Sequence, residues 1–208
     1  MTQEQVAVTA EKIRAGKTSL GIEFGSTRIK AVLIDDAYHT IAAGDYEWAS
    51  HLEDGLWSYT QEEIWKGLQT AYARMAGDVE TAYGEKLTHV GHIGFDKSGE
   101  LLVPFRTWQN TNTHEAHEKL SELFQYNIPE RWSVAHLYQA VLNHEEHVSK
   151  VDYITTLAGY VHWKLTGEKV LGVGDASGMF PIDPTTHAYE TEFIEKFNAL
   201  PEVAAQPW

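Results

Sequence analysis

The chain has 208 residues, of which 43% are hydrophobic and 22% are charged, so it can bury one large core or two small ones. Its formal net charge is -14, so the surface as a whole repels nucleic acid and anionic membranes, and a phosphorylated ligand needs a local cationic or metal site. The absence of cysteine excludes disulfides and thiolate metal sites, and no long apolar run is typical of a signal peptide or a membrane span. We therefore expect a cytoplasmic protein that binds neither nucleic acid nor membrane.

The first predicted elements are a short helix and a β-hairpin. Residues 2–17 place apolar residues at helical spacing and end at Gly16, so residues 1–18 form a predicted helical extension. Apolar and polar residues alternate in residues 20–24, which is typical of a strand with one buried face. Residues 28–35 are richer in Ile, Val and Leu, as expected of a strand covered on both faces.

The turn of this hairpin collects polar groups. Five residues at and after the turn can together face an anion such as a phosphate: Gly25, Ser26, Thr27, Arg28 and Lys30. The glycine lets a ligand approach the backbone closely, the N–H groups and hydroxyls donate hydrogen bonds, and the two cations offset negative charge. Glu23, just before the turn, can hold a hydrated Mg²⁺ on that phosphate. An ordinary hairpin with a polar turn is the alternative that this segment alone leaves open.

The following segments complete an order that is typical of a known fold class. Residues 40–48 form a predicted third strand, so the sheet opens as an antiparallel meander, and residues 54–60 are rich in turn residues. Thr60 and Glu63 form a capping box before a predicted amphipathic helix at residues 61–83, and residues 87–94 form another strand. The order βββαβ is typical of one half of the ribonuclease-H-like, actin-like ATPase fold. By that analogy we predict an α/β domain with a mixed sheet that an antiparallel meander opens and helices flank.

The second half of the chain is predicted to be mostly helical. After a short strand at residues 101–105, we expect helices at residues 114–124, 133–143, 145–151, 157–165 and 184–198, and a tail from residue 201. Two histidine pairs on helical sequence, His114 with His117 and His144 with His147, could each bring two imidazoles to one metal ion. Their acidic neighbours favour solvated helix faces instead, and neither pair has the spacing that zinc proteases use.

A glycine-rich loop at residues 169–183 surrounds one acid, Asp175. Its glycines allow close approach of a ligand to the backbone, and an acid presented there can act as a general base toward a hydroxyl. The alternative is a flexible glycine turn with a helix-capping Asp.

Four segments occur together in the order of a known enzyme family: residues 21–30, 104–113, 157–167 and 172–178. Taken together they resemble the FGGY family of carbohydrate kinases, with xylulokinase-like members nearest, over about residues 19 to 185. The resemblance implies that residues 19–208 form the family's sugar- and phosphate-facing N-terminal domain. It also implies an enzyme that uses ATP and Mg²⁺ to phosphorylate a sugar hydroxyl, with a ketopentose such as xylulose as the expected substrate. Whether the protein forms a homodimer is left open.

The resemblance also implies a role for individual residues. The turn Gly25-Ser26-Thr27 would face the β- and γ-phosphates, with Arg28 and Lys30 near the anion and Glu23 at the metal-linked position. Trp108 would form a wall of the sugar pocket, and Asn110 would hydrogen-bond a substrate hydroxyl. Asp175 would be the base that accepts the proton of the attacking hydroxyl.

The chain departs from the family pattern at several of these positions. Glu23 stands where the family usually has Asp, and Asn110 and Asn112 stand where it usually has Asp and Arg. In several members the catalytic Asp lies nearer the position of Gly172. Compared with the family pattern, about ten residues that carry sugar contacts are missing after Gly94, either because the molecule lacks them or because the printed sequence omits them.

The family's adenosine-binding glycine motif belongs to a C-terminal nucleotide-binding domain that these 208 residues do not contain. We therefore expect the isolated chain to be inactive as a kinase, because it cannot clamp ATP. The alternative is a non-catalytic sugar-sensing or scaffold protein that keeps half of an actin-like fold.

Overall fold

The computed structural model describes residues 2–87, 102, 103, 105, 106 and 109–207. The chain divides into two compact units, Met1–Glu53 with Ser58–Ile93 and Asp54–Trp57 with Gly94–Trp208. Apart from Leu87, the predicted strand at residues 87–94 lies outside the described residues, and so does the expected shortening after Gly94. The division into an extension at residues 1–18 and a single domain at residues 19–208 stays a prediction.

The first unit contains an antiparallel sheet with the order β1-β2-β3. The strands are β1 (Thr18–Phe24), β2 (Arg28–Asp35) and β3 (Thr40–Glu47), so the predicted hairpin and meander are confirmed. Ile29, Ala31 and Leu33 on one face of β2 are buried. On the other face Arg28 and Lys30 are exposed, and Val32 and Ile34 are half-buried. The expected cover on both faces of β2 is therefore only partial in the described part of the chain.

Helix α1 (Gln3–Arg14) is tied to the far end of this sheet. The Lys12 Nζ donates hydrogen bonds to Asp35 Oδ2 at 2.8 Å and to Asp36 Oδ1 at 2.6 Å. These bonds raise the pKa of Lys12 and hold the pKa of Asp35 well below its usual range. The apolar side of α1 buries Ala10 and Ile13, so the predicted extension packs as part of the unit.

Helix α2 (Gln61–Tyr83) covers one face of the sheet, as predicted. The Thr60 hydroxyl accepts a hydrogen bond from the Glu63 N–H at 3.2 Å at its start, and Gly84 ends it with φ 70°. Four apolar residues at helical spacing along α2 are all buried: Ile64, Leu68, Ala71 and Met75. A Cβ on Gly44 of β3 would overlap the backbone of α2, so glycine lets the helix approach the sheet closely.

A second three-stranded sheet has the order β4-β5-β6. Its strands are β4 (His51–Glu53), β5 (Leu56–Tyr59) and β6 (Phe105–Arg106). The turn between β4 and β5 places Asp54 at φ 50° and Gly55 at φ 79°. Only a turn-rich segment was expected here, although an Asp-Gly pair is a strong hairpin signal.

The second unit is mainly helical. Its helices are α3 (His114–Phe124), α4 (Ser133–Leu142), α5 (Leu157–Thr166), α6 (Val173–Ala176), α7 (Thr191–Asn198) and α8 (Pro201–Ala204). Large apolar residues of α3, α4, α7 and α8 form its core, including Leu120, Phe124, Tyr138, Val141, Phe197 and Val203.

Two predicted helices of this unit are wrong in extent. The helix expected at residues 145–151 is only a 3₁₀ turn at Val148–Lys150. The helix expected from residue 184 begins at Thr191 because the Asp183 carboxylate accepts the Thr185 N–H at 2.6 Å and Ile182 pairs with Tyr189, which hold a turn instead. None of the helices in the described ranges is both long and apolar enough to cross a bilayer.

Candidate functional site

The hairpin tip, which comprises Gly25, Ser26 and Thr27, is closed by its own backbone. The Gly25 N–H donates to the Arg28 carbonyl at 2.9 Å, and a Cβ built on Gly25 would lie 2.9 Å from that same oxygen. The sequence alone suggested close approach of a ligand as the reason for this glycine. The turn itself supplies a sufficient reason, because a side chain at Gly25 would collide with the Arg28 carbonyl oxygen.

All three carbonyl groups of the tip accept hydrogen bonds from two aromatic residues. Trp48 donates its Nε1–H to the Gly25 carbonyl at 2.7 Å and its backbone N–H to the Thr27 carbonyl at 3.1 Å. The Tyr59 hydroxyl donates to the Ser26 carbonyl at 3.0 Å. No described residue accepts a hydrogen bond from the N–H of Ser26 or Thr27, and both residues are exposed. The tip therefore presents two N–H groups and two hydroxyls, an arrangement that suits an anion.

The cations beside the tip are engaged with carboxylates. The Arg28 guanidinium lies 2.6 Å from Asp45 Oδ2 and also binds Glu47. The Lys30 Nζ lies 3.2 Å from Glu23 Oε2 across the β1–β2 ladder. Because each cation already has an acidic partner, the charge of the tip is largely compensated without a ligand.

Glu23 is the predicted metal ligand, and its side chain is 64% exposed. No group of three or more His, Asp or Glu side chains is arranged to hold a metal ion in the part of the chain that the structure describes. A metal at Glu23 would therefore need most of its ligands from water and from a phosphate, which is the usual mode for Mg²⁺.

Asp175 is fastened to the start of helix α5. Its Oδ2 accepts a hydrogen bond from the Thr156 hydroxyl at 2.7 Å, and that hydroxyl accepts the Gly159 N–H at 3.0 Å as the N-cap of α5. The half-buried Asp175 lies inside the one-turn helix α6, whose N-cap is Gly172, so it does not cap that helix. The sequence did not single out Thr156, because it lies far from Asp175 along the chain.

Asn110 is 5% exposed and bonds to the backbone of β5. Its Oδ1 accepts the Trp57 N–H at 2.9 Å, and its Nδ2 donates to the Trp57 carbonyl at 3.0 Å. An Asp here could not donate the second bond, which gives a structural reason for the amide. Substrate contact by Asn110 stays a prediction, and Trp108 lies outside the described residues.

A charged cluster that the sequence did not reveal lies near β6. The Arg106 guanidinium binds both carboxylate oxygens of Glu145, and the two side chains are only 17% and 24% exposed. The His136 ring lies near this pair, and burial first and Arg106 second lower its pKa to about 4. Within the described chain its buried Nδ1 has no hydrogen-bond partner.

The predicted histidine pair of α3 takes part in separate contacts. His114 lies 3.0 Å from Glu130 and 3.4 Å from Glu118, whereas the His117 Nδ1 lies 2.5 Å from the Ile128 carbonyl oxygen. The hydrogen bond to Glu130 raises the pKa of His114. These contacts fit the interpretation of a solvated helix face.

The family model described as the FGGY family of carbohydrate kinases, N-terminal domain, matches residues 18–205. The chain belongs to the FGGY family of carbohydrate kinases. Helix α1 precedes the part that matches the FGGY N-terminal domain.

Two curated relatives from Thermococcus species are named as glycerol kinases. The glycerol kinase of Thermococcus gammatolerans is 25% identical over 207 aligned residues, which cover 88% of this chain and 42% of that protein. The chain thus spans less than half the length of the curated relatives it matches.

Solved structures agree on the fold. A xylulose kinase from Brucella ovis has a TM-score of 0.67 at 18% identity and covers 86% of this chain and 40% of its own. A gluconate kinase from Lactobacillus acidophilus has a TM-score of 0.65 at 16% identity, with coverage of 89% and 40%. These likenesses confirm the predicted α/β, actin-like ATPase fold of an FGGY kinase.

In this FGGY domain the predicted site residues fall in both units. The hairpin tip and Glu23 belong to the first unit, and Asn110 and Asp175 belong to the second.

Proposed function

We propose that this chain is the sugar- and phosphate-facing half of an ATP-dependent carbohydrate kinase that transfers the γ-phosphoryl group of ATP to a sugar hydroxyl. The match of residues 18–205 to the family's N-terminal domain carries the proposal. A ketopentose such as xylulose is the first substrate to test, with glycerol and gluconate beside it because relatives or neighbours bear those names.

Asp175 acts as the general base in this proposal. Its carboxylate takes the proton of the attacking hydroxyl while the sugar oxygen bonds to the γ-phosphorus and the bond to the β,γ-bridging oxygen breaks, so that ADP leaves. Support comes from its place in a glycine-rich loop and from the Thr156 hydrogen bond, which fixes one carboxylate oxygen and orients the group.

The tip of the hairpin binds the phosphates in this proposal. The N–H groups and hydroxyls of Ser26 and Thr27 fit phosphate oxygens, and Glu23 is the residue that would hold Mg²⁺. Because Arg28 and Lys30 are paired with carboxylates, a bound Mg²⁺ would supply much of the charge compensation that a polyphosphate needs. The residues therefore fit a metal-bound phosphate better than a bare one.

The nucleotide half of the reaction belongs to the part of the relatives that this chain does not match. A domain that covers 42% of a glycerol kinase can bind a sugar and touch phosphates, but closing a site around ATP needs the second domain. We therefore propose that the 208-residue chain alone is inactive.

Calorimetry and an ADP assay on the purified chain test this function. We expect saturable binding of xylulose, glycerol or gluconate, and no sugar-dependent release of ADP from Mg-ATP. Failure of all three compounds to bind would reject the sugar-facing role. Sugar-dependent ADP formation by the chain alone would reject the proposal that it is inactive without a second domain.

A non-catalytic sugar sensor or scaffold is the second candidate. The observation that favours it is the engagement of the site residues with protein groups: Asn110 with Trp57, Arg28 with Asp45, and Lys30 with Glu23. A sensor binds sugar without responding to Mg-ATP, whereas a kinase that has both domains binds both. Calorimetric titration of the two-domain protein with Mg-ATP therefore separates the candidates.

A further inference from the structure

We propose that Trp48 and Tyr59 are positioning residues for the phosphate-facing tip: together they hold its three carbonyl groups and leave its N–H groups for an anion. The inference rests on the proposed function, because it takes the tip as the phosphate contact.

Each of the three carbonyl groups of the tip has a hydrogen-bond donor of its own. Trp48 supplies the donors to the Gly25 and Thr27 carbonyls, and Tyr59 supplies the donor to the Ser26 carbonyl between them. A carbonyl oxygen turned toward a phosphate would repel it, whereas a carbonyl held by a protein donor leaves the N–H side of the peptide for the ligand. Satisfaction of all three carbonyls thus selects one orientation of the turn.

The two aromatic residues form a rigid support. Their rings stack with centroids 4.0 Å apart and an interplanar angle of 6°, and the residues are 8% and 7% exposed. Trp48 follows directly after β3 and Tyr59 is the last residue of β5, so two separate strands hold the tip. Phe24 packs beside Trp48 with a centroid distance of 6.2 Å. Burial raises the pKa of Tyr59, so its hydroxyl keeps its proton and stays a donor.

Core packing alone does not account for this arrangement. Two phenylalanines would bury similar apolar surface, but they would leave the Gly25 and Ser26 carbonyls without these donors. The polar atoms of both rings reach neighbouring carbonyls of one turn, and that turn contains the exposed N–H groups of the predicted phosphate contact.

Two substitutions remove one donor each and keep an aromatic ring: Tyr59→Phe and Trp48→Phe. Tyr83→Phe is the matched control, because the Tyr83 hydroxyl donates to the Ile41 carbonyl at 3.3 Å, away from the tip. The probe is magnesium tripolyphosphate, which carries the phosphate chemistry without adenosine. Its dissociation constant and the ¹⁵N order parameters of Ser26 and Thr27 are measured by NMR on the full 208-residue chain.

We expect Tyr59→Phe and Trp48→Phe each to weaken tripolyphosphate binding by about fivefold, the effect of one lost hydrogen bond, and Tyr83→Phe to leave it unchanged. The order parameters of Ser26 and Thr27 should fall in the first two variants only. Unchanged order in both variants would overturn the positioning role, whether or not the probe binds. If the wild-type chain binds no tripolyphosphate, the phosphate-facing role of the tip fails, while the order parameters still decide what Trp48 and Tyr59 do.

Discussion

We expect the protein to lose stability as the pH falls from 6.5 toward 4, because His136 must take up a proton when the chain unfolds. In the folded protein its ring is shielded from solvent beside the Arg106 guanidinium, and its pKa is lowered from 6.5 to about 4. Glu145 opposes that shift but is itself bound to Arg106. The neutral ring therefore predominates in the folded protein until the pH approaches 4.

The sign and size follow from proton linkage. Between the two pKa values the unfolded chain binds more protons than the folded one, so the contribution of His136 is fully present above pH 6.5 and is lost as the pH falls. The loss amounts to about 2 kcal/mol at pH 5 and about 3 kcal/mol at pH 4. The raised pKa of His114 adds stability as the pH falls, which opposes the effect of His136. A comparison between variants is therefore needed to isolate the contribution of His136.

Urea denaturation of the wild type, His136→Gln and His162→Gln over this pH range makes that comparison. His162 is exposed on α5 and serves as the control. The free energy of unfolding of His136→Gln should fall less steeply with acid than that of the wild type, by about 2 kcal/mol at pH 5, and His162→Gln should follow the wild type. Parallel curves for the wild type and His136→Gln would refute the reasoning.

Three further substitutions test other parts of the structure. Gly44→Ala should lower the free energy of unfolding by about 3 kcal/mol because its Cβ overlaps the backbone of α2, whereas Gly77→Ala, in open space on α2, should raise it by about 1 kcal/mol; equal denaturation midpoints in urea would contradict the packing. Lys12→Met should lower the Tm at low salt more than Lys17→Met does, because it removes the hydrogen bonds to Asp35 and Asp36. Equal Tm values for the two variants would show that these bonds do not stabilise the packing of α1. In a kinase with both domains, Asp175→Asn should reduce kcat by about 10²- to 10⁴-fold with little change in the KM for the sugar, and an unchanged kcat would remove Asp175 from the role of base.

Local patterns in the sequence were sufficient to predict the hairpin and its covering helix. The alternation in β1 and the capping signal of Thr60 with Glu63 act over a few residues, so they are recognisable without knowledge of the fold. The strands β4 and β5 were missed because they are only three and four residues long and the former is wholly exposed, which leaves no apolar periodicity to detect.

The candidate site was harder to predict because the residues that hydrogen-bond to it lie far away in the sequence. The bond from Tyr59 to Ser26 joins residues 33 positions apart, and the bond from Thr156 to Asp175 joins residues 19 apart. Residue type alone indicated a polar turn and an acid in a glycine loop, but not which groups hold them. The same holds for His136, whose pKa is lowered first by burial and then by Arg106, a residue far earlier in the chain.

An NMR titration of the ¹⁵N-labelled chain with xylulose, glycerol and gluconate tests the central claim most directly. The account predicts saturable shifts for at least one of these compounds at Asn110, Thr156 and Asp175 of the second unit, and shifts at Ser26 and Thr27 only when magnesium tripolyphosphate is added. Absence of saturable shifts with all three compounds, or shifts confined to other residues, would contradict the assignment of this chain as the sugar-facing half of a kinase.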